Sequence, residues 1–129
     1  MAELHQHLLA SLKLRVLNVP LPPYTNELGA RVAILFSGGL DCTVLARLAH
    51  DLLPSSHRID LVNVAFENPR IAAQLQQSGT LDLYELCPDR ITGRKSFAEL
   101  LEICPSRCWN FVTVSYYNIG MPSVSDHNR

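Results

Sequence analysis

The sequence predicts an α/β fold: part of a doubly wound parallel sheet, about three strands with flanking helices. Three observations predict it. The run Val32-Ala33-Ile34-Leu35-Phe36 is continuously apolar and stops abruptly at Ser37-Gly38-Gly39. A new apolar pattern at helical spacing follows it, through Val44, Leu45, Leu48 and Leu52. A second run rich in β-formers, Ile59-Asp60-Leu61-Val62-Asn63-Val64-Ala65-Phe66, comes next. Strand, helix and strand at this spacing make a right-handed βαβ unit with a parallel pair.

The elements follow in chain order. Leu4, Leu8, Leu9, Leu12 and Val16 recur at helical spacing and predict an amphipathic helix over Ala2 to Leu17. Pro20, Pro22 and Pro23 end it. Core packing is the preferred reading of its leucine stripe, ahead of a partner-binding face. Tyr24 to Ala30 reads as a loop. Arg31 to Phe36 reads as a strand covered on both faces, because its apolar character does not alternate. Thr43 to Leu53 is the following helix, closed by Pro54-Ser55-Ser56, and Ile59 to Phe66 is the second strand. Glu67 to Cys87 is weakly patterned and is expected to be a flexible loop, with one or two helical turns at Ile71 to Leu75. Ser96-Phe97-Ala98-Glu99 has the form of a capping box, so a short helix should start there and run to about Ile103, before Pro105. Trp109 to Ser115 alternates and reads as a third strand. The domain therefore covers 1–115, and 116–129 is expected to be a disordered tail.

The strand-to-helix junction carries the chemistry. At a helix N-terminus the first backbone N–H groups have no intrahelical partner and sit at the positive end of the helix dipole, which suits an anion. Gly38 and Gly39 allow close approach to a phosphate, and Ser37 adds a hydroxyl. Asp41 repels phosphate, so its use is a magnesium ion or the turn geometry. Ser-Gly-Gly-x-Asp arises by chance in roughly one chain of this length in several hundred, yet a ligand-free β–α turn would carry the same residues. Neither a G-x-x-x-x-G-K-[ST] loop nor a G-x-G-x-x-G fingerprint occurs, so the two commonest phosphate motifs are excluded.

Composition narrows the class. A chain of 129 residues with 47% hydrophobic content can form one small domain. Net charge is −1 with no Lys/Arg block, which argues against nucleic acid and anionic membrane as partners. No secretory leader and no membrane-length apolar run is recognisable, so a cytoplasmic location is expected. Cys42, Cys87, Cys104 and Cys108 then read as reduced thiols; their spacing does not favour zinc. No cysteine or serine sits in a nucleophile motif, so no catalytic residue is assigned. Asp89, Arg90, Arg94 and Arg107 form a charged set for which ion pairing and capping are preferred over phosphate contact.

Leu35-Phe36-Ser37-Gly38-Gly39-Leu40-Asp41 resembles the pyrophosphate loop of the N-type ATP pyrophosphatases (the PP-loop superfamily), and most of all the synthetase domain of asparagine synthetases. The resemblance runs from about Leu12 to about Val114. It takes in Arg15-Val16-Leu17, the second strand, Pro88-Asp89-Arg90-Ile91-Thr92-Gly93-Arg94, and Pro105-Ser106-Arg107 with Trp109-Asn110-Phe111-Val112. It implies ATP and Mg²⁺ as cofactors. Ser37, Gly38, Gly39, Asp41 and Cys42 would contact ATP or pyrophosphate, Leu35 and Val64 the adenine, and Asp41 the metal. The reaction it implies is adenylation of the aspartate β-carboxylate by ATP, with release of pyrophosphate and displacement of AMP by ammonia from glutamine.

This sequence departs from the family at three points. Cys42 stands where the family carries serine, and a thiol is a weak donor. Ala2 stands where a glutamine-dependent synthetase has its nucleophilic cysteine. The family's second Gly-rich acidic motif has no match before Arg129. The expectation is a nucleotide-binding slice of an asparagine synthetase-like domain, catalytically incomplete alone. A non-catalytic interaction or regulatory fragment, and an unstable truncation product, are the alternatives.

Overall fold

The computed structural model describes residues 1–20, 29–67, 83–116 and 123–127. The elements are α1 (Ala2–Val16), β1 (Val32–Leu35), α2 (Leu40–Leu52), β2 (Ile59–Phe66), α3 (Pro88–Ile103), β3 (Trp109–Tyr116) and β4 (Ser123–His127). One sheet has the order β1-β2-β3-β4. Its first three strands are parallel, with Val32 opposite Ile59 and Ile59 opposite Trp109. β4 runs antiparallel to β3, with Phe111 opposite His127. The α/β class and the three parallel strands are as the sequence predicts, and β2 has the predicted bounds.

The in-register rungs sort the side chains by face. Val32, Ile34, Ile59, Leu61, Trp109 and Phe111 share one face, and all belong to or pack against the main core. α2 contributes Ala46 and Ala49, α3 contributes Leu100, and α1 reaches the same core through Leu12 and Val16. Phe36 and Phe111 meet edge to face at a centroid distance of 6.4 Å. Each large side chain so buried contributes about 1.5–3 kcal/mol. Alternation places Ala33, Leu35, Val62, Val64 and Phe66 on the opposite face. There Leu35 is 77% and Phe66 63% exposed, while Phe66 and Tyr116 stack at 5.8 Å.

Four expectations need correcting. β1 is not covered on both faces: it is an edge strand with Ala33 and Leu35 exposed. An apolar run records side-chain type, and cannot say whether the covering layer is part of the same chain. α1 is amphipathic as predicted, with Leu8, Leu9 and Leu12 half-buried and Val16 buried; within the stripe Leu4, in the first turn, is exposed. α2 begins at Leu40, three residues early, because Gly39 already adopts the extended N-cap conformation. Ser96 is not a helix start: α3 begins at Pro88, where a proline needs no N–H partner in the first turn. Residues 123–127 of the expected tail form β4, held by ladder bonds to β3 rather than by any pattern of their own. The helical turns expected at 71–75 lie outside the described residues, as does most of the loop expected at 24–30. No described helix is long and apolar enough to cross a membrane.

Candidate functional site

The junction predicted from sequence lies at the carboxyl end of β1, where ligands of open α/β sheets bind. Gly38 has φ +87°, a left-handed conformation that L side chains rarely adopt. It is also wedged: a Cβ there would sit 2.4 Å from the backbone carbon and oxygen of Thr92 and 2.5 Å from the nitrogen of Gly93. The close approach that Gly38 permits is therefore first of all to α3. Gly39 is open, with only Ser37 Oγ at 3.5 Å from a built Cβ, and it is the residue that leaves room for a ligand.

The polar groups of the loop divide by direction. The carbonyls of Phe36 and Gly38 point into the protein, and that of Gly39 into the first turn of α2. Phe36 O accepts from Asn63 Nδ2 at 2.8 Å and Gly38 O accepts from Ser96 Oγ at 2.7 Å. Gly39 O accepts from Thr43 Oγ1 at 2.7 Å, from Cys42 Sγ at 3.2 Å and from Thr43 N at 3.2 Å. The first helical bond of α2 is thus Thr43 N to Gly39 O, and the amides of Leu40, Asp41 and Cys42 are the orphan donors of the first turn. Ser37 and Asp41 are exposed beside them. Ser37 Oγ accepts a long bond, 3.4 Å, from Gly39 N and lies 3.8 Å from Cys42 Sγ.

The structure brings Ser37, Gly39, Asp41 and Cys42 to one end of α2, with Gly38 behind them. The Cys42 thiol is turned to Gly39 O, so it stiffens the turn. Leu35 and Val64, the positions that resemblance gives to adenine, stand two register positions apart on the second sheet face, towards the carboxyl ends of adjacent strands; Leu35 is paired with Val62. Val64 also lines a cleft of about 400 Å³ with Phe66, Glu67, Cys87 and Asp89. Asp41 is a lone carboxylate at the loop. Magnesium keeps several waters and takes one or two carboxylates plus phosphate oxygens, so this donor fits a metal carried in with a nucleotide. No group of three or more His, Cys, Asp or Glu able to hold a metal alone occurs among the described residues.

Sequence reasoning missed Asn63, Gly93 and Ser96. Asn63 was legible in principle: period two puts it on the Ile59, Leu61 and Ala65 face, and a polar residue on a buried face asks for a reason. It is 0% exposed. A Cβ at Gly93 would lie 2.4 Å from Asn63 Nδ2, so that mid-helix glycine is a packing requirement.

Three of the charged set, Arg90, Arg94 and Arg107, make contacts within the fold. Arg107, 4% exposed, seals the other end of α2. Its Nη2 donates to His50 O at 2.8 Å and Leu53 O at 2.7 Å, and its Nη1 to His57 O at 2.6 Å and to Pro54 O. Its Nε donates to His50 Nδ1 at 3.1 Å. Burial, with Arg107 and Arg47 nearby, lowers the His50 pKa below the usual 6.5; burial likewise lowers that of Arg107. Arg90, 1% exposed, donates to Val114 O at 3.2 Å. Arg94 pairs with Glu85 at 2.7 Å over the Phe111 ring. Asp89 offers its backbone oxygen to Asn63 Nδ2 at 2.9 Å. All four cysteines are free thiols.

No family model and no solved structure matches the chain. Curated proteins do. An asparagine synthetase domain-containing protein of Drosophila melanogaster is 45% identical over 86 residues, covering 67% of this chain and 14% of the relative. Asparagine synthetase domain-containing protein 1 of Homo sapiens is 36% identical over 131 residues, covering 81% and 20%. That of Gallus gallus is 38% identical over 129 residues, covering 78% and 19%. The chain is thus a homologue of the asparagine synthetase domain-containing proteins, and spans 14–20% of the length of these relatives.

Proposed function

We propose that the Ser37–Asp41 segment binds the pyrophosphate end of ATP with its magnesium, and that the chain is a nucleotide-binding piece of an asparagine synthetase-like domain. The reading rests on one observation above all: the carbonyls of Phe36, Gly38 and Gly39 are all taken by donors of the protein, while the first-turn amides of α2, which lack an intrahelical partner, belong to a turn whose Leu40 and Asp41 are exposed beside the exposed Ser37. Such preorganised donors stabilise negative charge with no reorganisation cost. Bound magnesium would neutralise charge on the phosphates, and Asp41 is placed to orient it. Adenine would lie on the exposed Leu35 and the half-buried Val64. Aspartate adenylation and use of glutamine-derived ammonia belong to the family reaction. Within this chain no residue is assigned as their catalyst, so the chain alone is taken as catalytically incomplete and cytoplasmic.

Calorimetric titration with MgATP tests this. The wild type binds, and Asp41→Asn weakens the magnesium-dependent affinity about tenfold, about 1.4 kcal/mol. Identical titrations for both proteins would remove Asp41 from the site. Asparagine formed by this chain alone would contradict incompleteness.

A second reading, a non-catalytic interaction fragment, is favoured by the second sheet face, where Leu35, Phe66 and Tyr116 are exposed although Asn110 and Val112 are buried. Exposed apolar side chains on a parallel sheet are ordinarily covered by a second layer. Nucleotide-independent capture of a partner, unaffected by Asp41→Asn, would support that reading instead.

A further inference from the structure

Ser96 lies in the middle of α3, yet its hydroxyl crosses to the loop and donates to Gly38 O at 2.7 Å, with both groups buried. Asn63 reaches the same loop from β2. Its Nδ2 donates to Phe36 O at 2.8 Å and to Asp89 O at 2.9 Å. Both neighbours are acceptors, so the amide nitrogen must face them, and Oδ1 is left buried without a hydrogen-bond partner among the described residues. An unsatisfied buried oxygen is costly. An apolar residue would fill the position without that cost, so the asparagine is explained by what its nitrogen holds.

What it holds is the direction of two peptides. In a trans peptide the N–H and C=O point opposite ways. Fixing Phe36 O inward turns the Ser37 N–H outward, and fixing Gly38 O inward turns the Gly39 N–H to the exposed Ser37 side, where it makes only a long 3.4 Å bond to Ser37 Oγ. Without such anchors, the peptide between two glycines can rotate at little steric cost. Rotated, it would present a carbonyl oxygen to an anion and repel it. The backbone of Thr92 and Gly93 closes the remaining space behind Gly38.

We infer that Asn63 and Ser96 are positioning residues for the anion loop, holding its carbonyls inward so that its amides face the phosphates. The inference rests on the nucleotide reading above. The experiment is titration of wild type, Ser96→Ala and Asn63→Leu with magnesium pyrophosphate and, separately, with adenosine. Amide hydrogen exchange at Gly39 and Leu40 is read on the free proteins. The expected result is a loss of pyrophosphate affinity of about tenfold in each variant, unchanged adenosine affinity, and faster exchange at those amides. Asn63→Leu keeps the core apolar, so it reports on the clamp if Ser96→Ala proves poorly folded. Wild-type pyrophosphate affinity in both variants would overturn the positioning role while leaving the nucleotide reading intact. An equal loss for adenosine and pyrophosphate would also overturn it, since that marks a general structural defect. Failure of the wild type to bind pyrophosphate would overturn the nucleotide reading and this inference together.

Discussion

The two ends of α2 are finished in opposite ways. At the C-terminal end the buried guanidinium of Arg107 takes the carbonyls of His50, Leu53, Pro54 and His57. At the N-terminal end no side chain caps the helix. The carbonyls of Phe36, Gly38 and Gly39 are bound, but the first-turn amides have no intrahelical partner, and Leu40 and Asp41 are exposed beside Ser37. One helix thus shows how this fold satisfies a terminus when only stability is at stake. The contrast makes the open end meaningful: the same chain that spends a buried arginine on one terminus leaves the other uncapped.

Breaking the sealed end should have the largest effect. Arg107→Ala removes a charged donor from several buried carbonyls and is expected to cost about 3 kcal/mol or more, read by urea denaturation. Arg107→Lys should recover little, because an ammonium cannot spread its donors over the same fork. A loss under about 1 kcal/mol would mean that water replaces the guanidinium readily.

Gly38→Ala strikes the open end and comes next. Its φ of +87° and the 2.4 Å approach to Thr92 predict a loss of about 2 kcal/mol. Pyrophosphate affinity should fall with it, whereas Arg107→Ala, where it still folds, should leave that affinity unchanged. Equal effects of both substitutions on ligand affinity would erase the distinction between the two ends.

The smallest expected effect is on pH. His50 Nδ1 accepts from Arg107 Nε, so protonation breaks that bond and sets two cations together. The folded-state pKa is lowered, so between it and about 6.5 the unfolded chain binds more protons. This contribution to stability is therefore complete above about pH 6.5 and is lost as pH falls through the folded-state pKa. His50→Gln, which keeps an acceptor, should flatten the melting temperature between pH 7 and 5. An unchanged slope would assign the pH dependence to other groups.

Much of this was readable from local pattern. Val32 to Phe36 ending in Ser-Gly-Gly announces a strand, a turn and a helix, because each step is decided within a few residues. The β2 bounds were equally local. Two helix starts, at Leu40 and Pro88, were local signals misread; the other errors needed a neighbour distant in sequence. Ser-x-x-Glu at Ser96 has capping-box form, but the helix had already started at Pro88, and the hydroxyl goes to Gly38, 58 residues away. Gly93 discourages a helix on propensity alone, at about 1 kcal/mol against alanine; its absent side chain makes room for Asn63. β4 carries no periodic signal, since a ladder to β3 is what defines it. The βαβ pattern puts Ser37 and Phe66 at the carboxyl ends of their strands, and the fold has both there; the ligand roles that resemblance gives Ser37, Asp41, Leu35 and Val64 are a separate matter. Nothing in the residue pattern could tell that Gly38 serves α3 before it serves a ligand.

The measurement closest to the central claim is a thermal melt of the chain with and without MgATP. Ligand at 100 times its dissociation constant stabilises by about 2.7 kcal/mol, about 10 °C for a domain of this size. The account predicts a cooperative transition that rises by that order with MgATP and not with AMP, since the loop reads the pyrophosphate. A cooperative transition unmoved at saturating MgATP would contradict it, and would leave the open end of α2 as a turn without a ligand.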